Sequence, residues 1–327
     1  MSQAVILMYH RVIDPGPDPW GLCVSPRHFE EQLQVLATHF HPVAMAELAA
    51  AGRAGSVPER GVAITFDDGY VDNLHNALPA LRRRSVPATV FVVPGYLGRR
   101  QYWWDELETL FLRTATLPAN LTLTVNGTQH QWNLGSPPAR SGALGGDWAR
   151  WRAWDDPPTA RHALYLSLWQ LLQPLPEESR CNALAELRKW SGVASSDEPT
   201  PAVMTLDDLH ALAEDGLIEI GAHTMTHPVL SAISIARQRE EIGRSKALIE
   251  EILQRQVSGF SYPYGARTNY STDTVNAVRD AGYEYACSTT ASSVTRGADP
   301  FQLPRFQVGD WSGDEFAVHL RTWFAGQ

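Results

Sequence analysis

The sequence predicts an α/β protein built around a parallel β-sheet, and three observations carry that expectation. Seven short apolar runs recur along the chain, at 4–10, 61–66, 88–93, 217–223, 257–262, 283–288 and 303–308. They are mostly continuous rather than alternating, as strands covered on both faces are. Helix-period segments separate most of them, and alternating strands and helices imply a parallel sheet. Seven strands favour closure into a barrel over an open sheet, although periodicity does not decide between the two.

The helices are read from their ends. Ser25-Pro26 supplies an N-cap followed by an N1 proline. Thr205 with Asp208 has capping-box chemistry before LHALAEDG, and Gly216 is the expected stop. Ser234 caps a long segment through ARQREEIGRSKALIEEILQ, whose apolar set Ile235, Ile242, Leu248, Ile249 and Ile252 is helical in period. Residues 272–281 form another helix ending at Gly282. One region breaks the rhythm. Residues 99–200 hold Trp103, Trp104, Trp132, Trp148, Trp151, Trp154, Trp169 and Trp190, 8 of the 11 tryptophans, together with the stretches GSPPAR and DDPPTA. This predicts an insertion subdomain at 99–200, with helices near 161–173 and 177–191, between barrel segments 1–98 and 201–327.

Composition limits the function. The 327 residues are 44% hydrophobic and 19% charged, with a net charge of −9 and a pI near 5.6. A phosphate-tracking surface needs a basic stripe, and none is present, so nucleic acid is not an expected partner. No stretch approaches the ~18 apolar residues of a membrane span. The apolar run at 4–9 is too short for a signal segment and lacks a basic lead, so a cytoplasmic location is expected. Cys23, Cys181 and Cys287 are widely spaced and odd in number, which gives neither a disulfide framework nor a cysteine zinc site.

Three polar clusters fall at strand ends: Asp67-Asp68-Gly69, His223-Thr224-Met225-Thr226-His227, and FSYPYG at 260–265. In parallel α/β folds ligand sites gather at the carboxyl ends of strands. Two histidines four apart lie on one side of a helical turn and can share a metal, although Pro228 limits any helix there. An added aspartate makes a two-histidine, one-carboxylate set with coordination positions left open. Taken singly, each cluster has a plainer explanation. Asp before Gly is ordinary turn chemistry, and the histidines can serve a strand end and a turn separately.

Together and in this order, TFDDGY, HTMTH and YPYG resemble the polysaccharide deacetylases of carbohydrate esterase family 4, the NodB-homology domain. The resemblance covers about 1–98 and 201–327. It implies a distorted (β/α)7 barrel, here with a Trp-rich, partly helical insertion. It implies Asp67 as general base, and Asp68, His223 and His227 as ligands of one divalent metal ion, zinc by default with cobalt or nickel also accepted. It implies an oxyanion contact from the Tyr264 backbone N–H. Two departures stand out. The family's base-orienting arginine position is Ser261 here, and Arg305 is the candidate to supply the guanidinium from the last strand. The family's C-terminal Leu-x-Leu-His strand is missing, whereas ILMYH ends at His10. A circularly permuted arrangement with His10 as general acid is therefore expected, with His319 as the alternative. Trp311 is expected to wall an acyl pocket, and Asp310 to orient a histidine or Arg305.

The implied reaction is metal-assisted removal of N-acetyl groups from an N-acetylated carbohydrate, an amino-sugar glycan or its precursor. An O-acetyl esterase or cyclic-amide hydrolase of the same fold, or a carbohydrate-binding pseudoenzyme, are the competing readings. The insertion tryptophans either stack on sugar or form a small core of their own. Trp103 and Trp104 of YWWDE, close behind the third strand, are the candidates for reaching substrate.

Overall fold

A computed structural model describes residues 3–99, 101–114, 116–135, 150–192 and 203–326. Each of the seven predicted apolar runs contains a strand: β1 (Gln3–Tyr9), β2 (Gly61–Phe66), β3 (Ala88–Val92), β4 (Ile218–Ala222), β5 (Gly259–Ser261), β6 (Tyr285–Cys287) and β7 (Phe306–Gln307). They pair in parallel in the order β6-β5-β4-β3-β2-β1, and β7 pairs with the other edge of β1.

The segment leading into β7 closes the ring. Leu303 bridges Cys287 in parallel. Its N–H donates to Ala286 O at 2.9 Å, and its carbonyl accepts from Ser288 N at 2.8 Å. A few residues on, Phe306 and Gln307 lie opposite Leu7 and Met8, and Val308 N donates to Met8 O at 3.1 Å. One segment thus meets both edges of the sheet. The result is a distorted (β/α) barrel, with a two-residue last stave and only one register pair, Phe260 with Ala222, joining β4 to β5.

Burial explains the continuous apolar runs. Every residue of β2 and β3 is buried. Along β1, Val5, Leu7 and Tyr9 join the core that includes Phe29, Leu33 and Leu36 of helix Pro26–His39, whereas Ala4 and Ile6 join a separate cluster with Phe91, Tyr285 and Cys287. The predicted caps also form. Ser25 accepts from His28 N, Thr205 and Asp208 make a capping box, and Ser234 caps helix Ile235–Leu253. Helix Thr272–Asp280 gives way to Gly282 at φ +80°.

The chain divides into two compact units. One comprises 1–14, 22–99 and 203–327, and the other 15–21 and 100–202. The second contains helices Trp103–Glu108, Ala160–Leu172 and Glu177–Ser191, and an antiparallel hairpin, Asn120–Val125 with Thr128–Asn133. The hairpin is absent from the sequence expectation. Its signal is LTLTV followed by Asn126-Gly127, which take φ +49° and +79° as a tight hairpin turn requires. Among the described residues no helix is long and apolar enough to cross a membrane.

Candidate active site

The turn after β2 explains why two carboxylates stand side by side. Asp68 and Gly69 both take left-handed backbone, φ +73° and +67°. A side chain there costs roughly 1–2 kcal/mol. The turn sends the neighbouring carboxylates to different partners.

Asp67 goes to Arg305. The guanidinium is bidentate, Nη1 to Oδ1 at 2.8 Å and Nη2 to Oδ2 at 2.7 Å, and both side chains are buried. Arg305 also donates to Thr65 Oγ1 at 3.0 Å, Ser288 O at 3.0 Å and Ser261 Oγ at 2.9 Å. Ser261 Oγ donates in turn to Asp67 Oδ2 at 3.2 Å. The guanidinium thus arrives from β7's segment, and the serine at the family's arginine position becomes part of its hydrogen-bond shell. Burial opposes ionisation of Asp67, but Arg305, with His223 and His10, holds its carboxyl well below the usual range.

Asp68 goes to the histidines. His227 Nε2 lies 3.4 Å and His223 Nε2 3.7 Å from Asp68 Oδ1. All three donor atoms fall within 4.8 Å of one another, and all three residues are buried. Bonds of 2.0–2.2 Å at tetrahedral angles place ligand atoms about 3.4 Å apart, so this donor set fits a cation such as zinc. His223 Nδ1 donates to Ser261 O at 2.7 Å, which leaves Nε2 as the donor atom toward the metal position. Burial, partly offset by Asp67, lowers the His223 pKa and favours the neutral imidazole that metal binding requires.

The expected helical turn between the two histidines is not formed. Thr224 and His227 take φ +63° and +55°, and an irregular turn brings the rings to 4.8 Å. The proline after His227 and the left-handed residues rule out the helical path, yet the tight turn achieves the same convergence.

His10 directly follows β1, whose Tyr9 carbonyl accepts from Asp67 N at 3.1 Å. Asn73 Nδ2 holds the His10 carbonyl at 2.9 Å. Burial pushes the His10 pKa down to about 4, with Asp67 opposing and Arg305 and His223 reinforcing. His10 therefore shares the electrostatic neighbourhood of the site. His319 lies within helix Gly313–Ala325, and its ring stacks on Trp311 at 3.8 Å. Tyr264 takes φ +60°, and its ring meets His227 edge-to-face at 4.8 Å. Asp310 does engage a histidine, but it is His28, at 2.7 Å, together with Ser25 N and Oγ. Trp311 is half-buried on the loop after β7, its carbonyl accepting from Gln32 Nε2 at 2.8 Å.

Trp103 and Trp104 belong to the second unit and are almost fully buried. Trp104 stacks on Tyr102 at 4.4 Å, and Trp103 packs against Trp169 at 5.9 Å. Trp20 in turn lies on Trp169 at 4.2 Å. These rings are committed to an aromatic core inside the second unit. Trp148 lies outside the described residues. Trp154 is 67% exposed.

Fold and site together define a parallel barrel with a three-donor, cation-ready centre at its strand ends, beside an arginine-clamped carboxylate. A family model for polysaccharide deacetylase matches residues 54–116 and 195–286. Over these ranges, just under half of its length, the chain resembles the polysaccharide deacetylases, as its motifs suggest. It is 32% identical over 114 residues to a poly-beta-1,6-N-acetyl-D-glucosamine N-deacetylase of Staphylococcus aureus, covering 31% of this chain and 39% of that protein. It is 30% identical over 103 residues to the putative polysaccharide deacetylase YxkH of Bacillus subtilis, covering 31% and 36%. The matches thus span under half of these relatives' lengths. Among solved structures, Streptococcus pyogenes deacetylase PplD in complex with acetate superposes with a TM-score of 0.61 at 18% identity, and IcaB from Ammonifex degensii with 0.60 at 19%. Each alignment covers 98% of both chains. At such identities the likeness shows the fold.

Proposed function

We propose that the protein is a divalent-metal-dependent hydrolase that removes N-acetyl groups from an amino-sugar glycan or glycan precursor. The observation that carries this reading is the convergence of Asp68, His223 and His227 within 4.8 Å. The relative that acts on poly-N-acetylglucosamine makes β-1,6-linked N-acetylglucosamine the first substrate class to try.

Asp68, His223 and His227 would hold the cation, zinc by default, with cobalt or nickel suited to the same donors. Bound there, it supplies Lewis-acid polarisation of an acyl oxygen and lowers the pKa of water. The chain's own residues supply the rest. Asp67 takes the proton of the attacking water, and Arg305 and Ser261 fix its carboxylate in place. The Tyr264 backbone N–H donates to the developing oxyanion. His10 gives a proton to the departing amine, without which an amide leaves poorly. At neutral pH its depressed pKa leaves His10 neutral at rest, so the proton it gives to the amine is one it takes up from solvent as the tetrahedral anion develops.

The test is metal content of the purified protein, with acetate release from β-1,6-linked N-acetylglucosamine oligomers and sugar-nucleotide N-acetyl sugars before and after chelation. About one divalent ion per chain and chelator-sensitive acetate release are expected. Bound metal with release only from O-acetyl esters or ring-opening of cyclic amides would replace the amide reading. Sugar binding by a protein that takes up no metal would make it a binding module.

A further inference from the structure

We propose that Glu241 is a positioning residue for the metal centre, holding the His223–His227 turn so that His227 can share a cation with Asp68 and His223. This rests on the metal reading above.

The turn is strained by its own backbone. Thr224 and His227 are both left-handed without being glycine, and such residues persist where their surroundings over-determine them. The first half is held by main chain. His223 N donates to Val92 O at 2.8 Å, and Gly95 N donates to Met225 O at 3.1 Å. That second approach is so close that a Cβ on Gly95 would lie 2.3 Å from the Met225 oxygen. Thr224 Oγ1 accepts from His227 N at 3.0 Å, a bond internal to the turn.

The second half is gripped from outside the turn by a buried side chain. Glu241, on helix Ile235–Leu253 and 2% exposed, uses both carboxylate oxygens on Thr226. Oε2 accepts from Thr226 N at 2.8 Å, and Oε1 accepts from Thr226 Oγ1 at 2.9 Å. Arg237, one helical turn earlier, reaches Oε1 at 3.0 Å and supplies the counter-charge. A buried carboxylate is costly unless paired and fully hydrogen-bonded. Here its bonds end on the residue that directly precedes His227. Glu241 does not belong to the donor set itself, so its influence on the cation runs through Thr226.

The experiment uses the full-length protein and the metal alone. Zinc affinity is measured by competition with a chromogenic chelator, alongside the melting temperature of the metal-free protein. Losing an outer-shell partner costs about 10–100-fold in metal affinity, and Glu241→Gln is expected to fall in that range. Thr226→Val should lose less, and Thr226→Ser, which keeps both donors, should bind as wild type does. The two losses should be less than additive in the double variant. Glu240→Gln, on the exposed face, is the control. A lower melting temperature with unchanged zinc affinity in Glu241→Gln and Thr226→Val would overturn the assignment and leave Glu241 a stability residue. If Glu241→Gln does not fold, equal zinc affinity in Thr226→Val and Thr226→Ser would overturn it too. A wild-type protein that binds no divalent ion would remove the metal reading and this inference together, whereas equal binding by wild type and variants removes this inference alone.

Discussion

The barrel and the insertion each hold a carboxylate against an arginine, and the two pairs behave in opposite ways. In the barrel, Arg305 meets both oxygens of Asp67, and neither side chain sees solvent appreciably. In the insertion, Arg113 Nε and Nη2 both converge on Glu108 Oε1, at 2.9 and 2.6 Å, and the arginine is 49% exposed. Asp67 is pulled below its ordinary pKa despite burial. Glu108 is pushed by burial from 4.5 up to about 7, because Arg113 offsets too little and the like charges of Asp105 and Asp18 add to the rise. Bidentate geometry together with the neighbouring charges, histidines beside Asp67 and carboxylates beside Glu108, decides the sign, and mere presence of an arginine does not.

The largest expected effects fall on the barrel's proposed metal ligands. Asp68→Ala or His223→Ala should lose bound metal and turnover together, by more than the 10–100-fold typical of an outer-shell change. Full metal stoichiometry in either variant, by elemental analysis, would break the assignment. His10→Ala should keep its metal and lose about 10²–10⁴-fold in turnover, the usual worth of a general acid, whereas His319→Ala should change little. If His319→Ala shows the greater loss, the acid comes from the C-terminal helix instead.

Stability sharpens the contrast between the pairs. Arg305→Ala strands a buried carboxylate and should cost about 3–5 kcal/mol in denaturant melts. Arg113→Ala removes a half-exposed partner and should cost about 0–1 kcal/mol. Similar costs would mean that burial, not geometry, governs both sites.

The smallest effect is a pH signature. The Asp67 pKa is lower folded than unfolded, so its contribution is present above the unfolded value and is lost as acid approaches the folded one. The Glu108 pKa is higher folded than unfolded, so its contribution is full below 4.5 and is lost as pH rises through about 7. Most tryptophans lie in the insertion. Their fluorescence in denaturant titrations should therefore show that unit more stable at pH 5 than at pH 8. Equal stability at the two pH values would show that Glu108 stays ionised throughout.

Much of this was legible in the sequence, for identifiable reasons. The strands announce themselves because both faces are covered, so burial leaves continuous apolar runs. Asp67, Asp68, His223 and His227 stand out because adjacent carboxylates and close histidines are chemically conspicuous at strand ends. Arg305 could be nominated from the missing arginine at Ser261, but its bidentate grip needs coordinates. Glu241 could not be found, since it sits among Glu240, Glu250 and Glu251 on one helix and only packing separates it from them. Pro228 already limits a helix at 223–227, but the irregular path of that turn is not legible because spacing carries no record of φ. The hairpin at 120–133 was missed although Asn126-Gly127 marks it.

The closing stave has a consequence for biogenesis. Residues 303–308 complete the ring by joining β6 to β1, and Arg305 within them clamps Asp67. Residue 7 pairs with residue 306, a contact that spans nearly the whole chain and is slow to find. During synthesis the aspartates and histidines emerge long before this segment does. A growing chain therefore carries both aspartates and both histidines with no guanidinium to hold Asp67, and that clamp forms only when residues 303–308 dock.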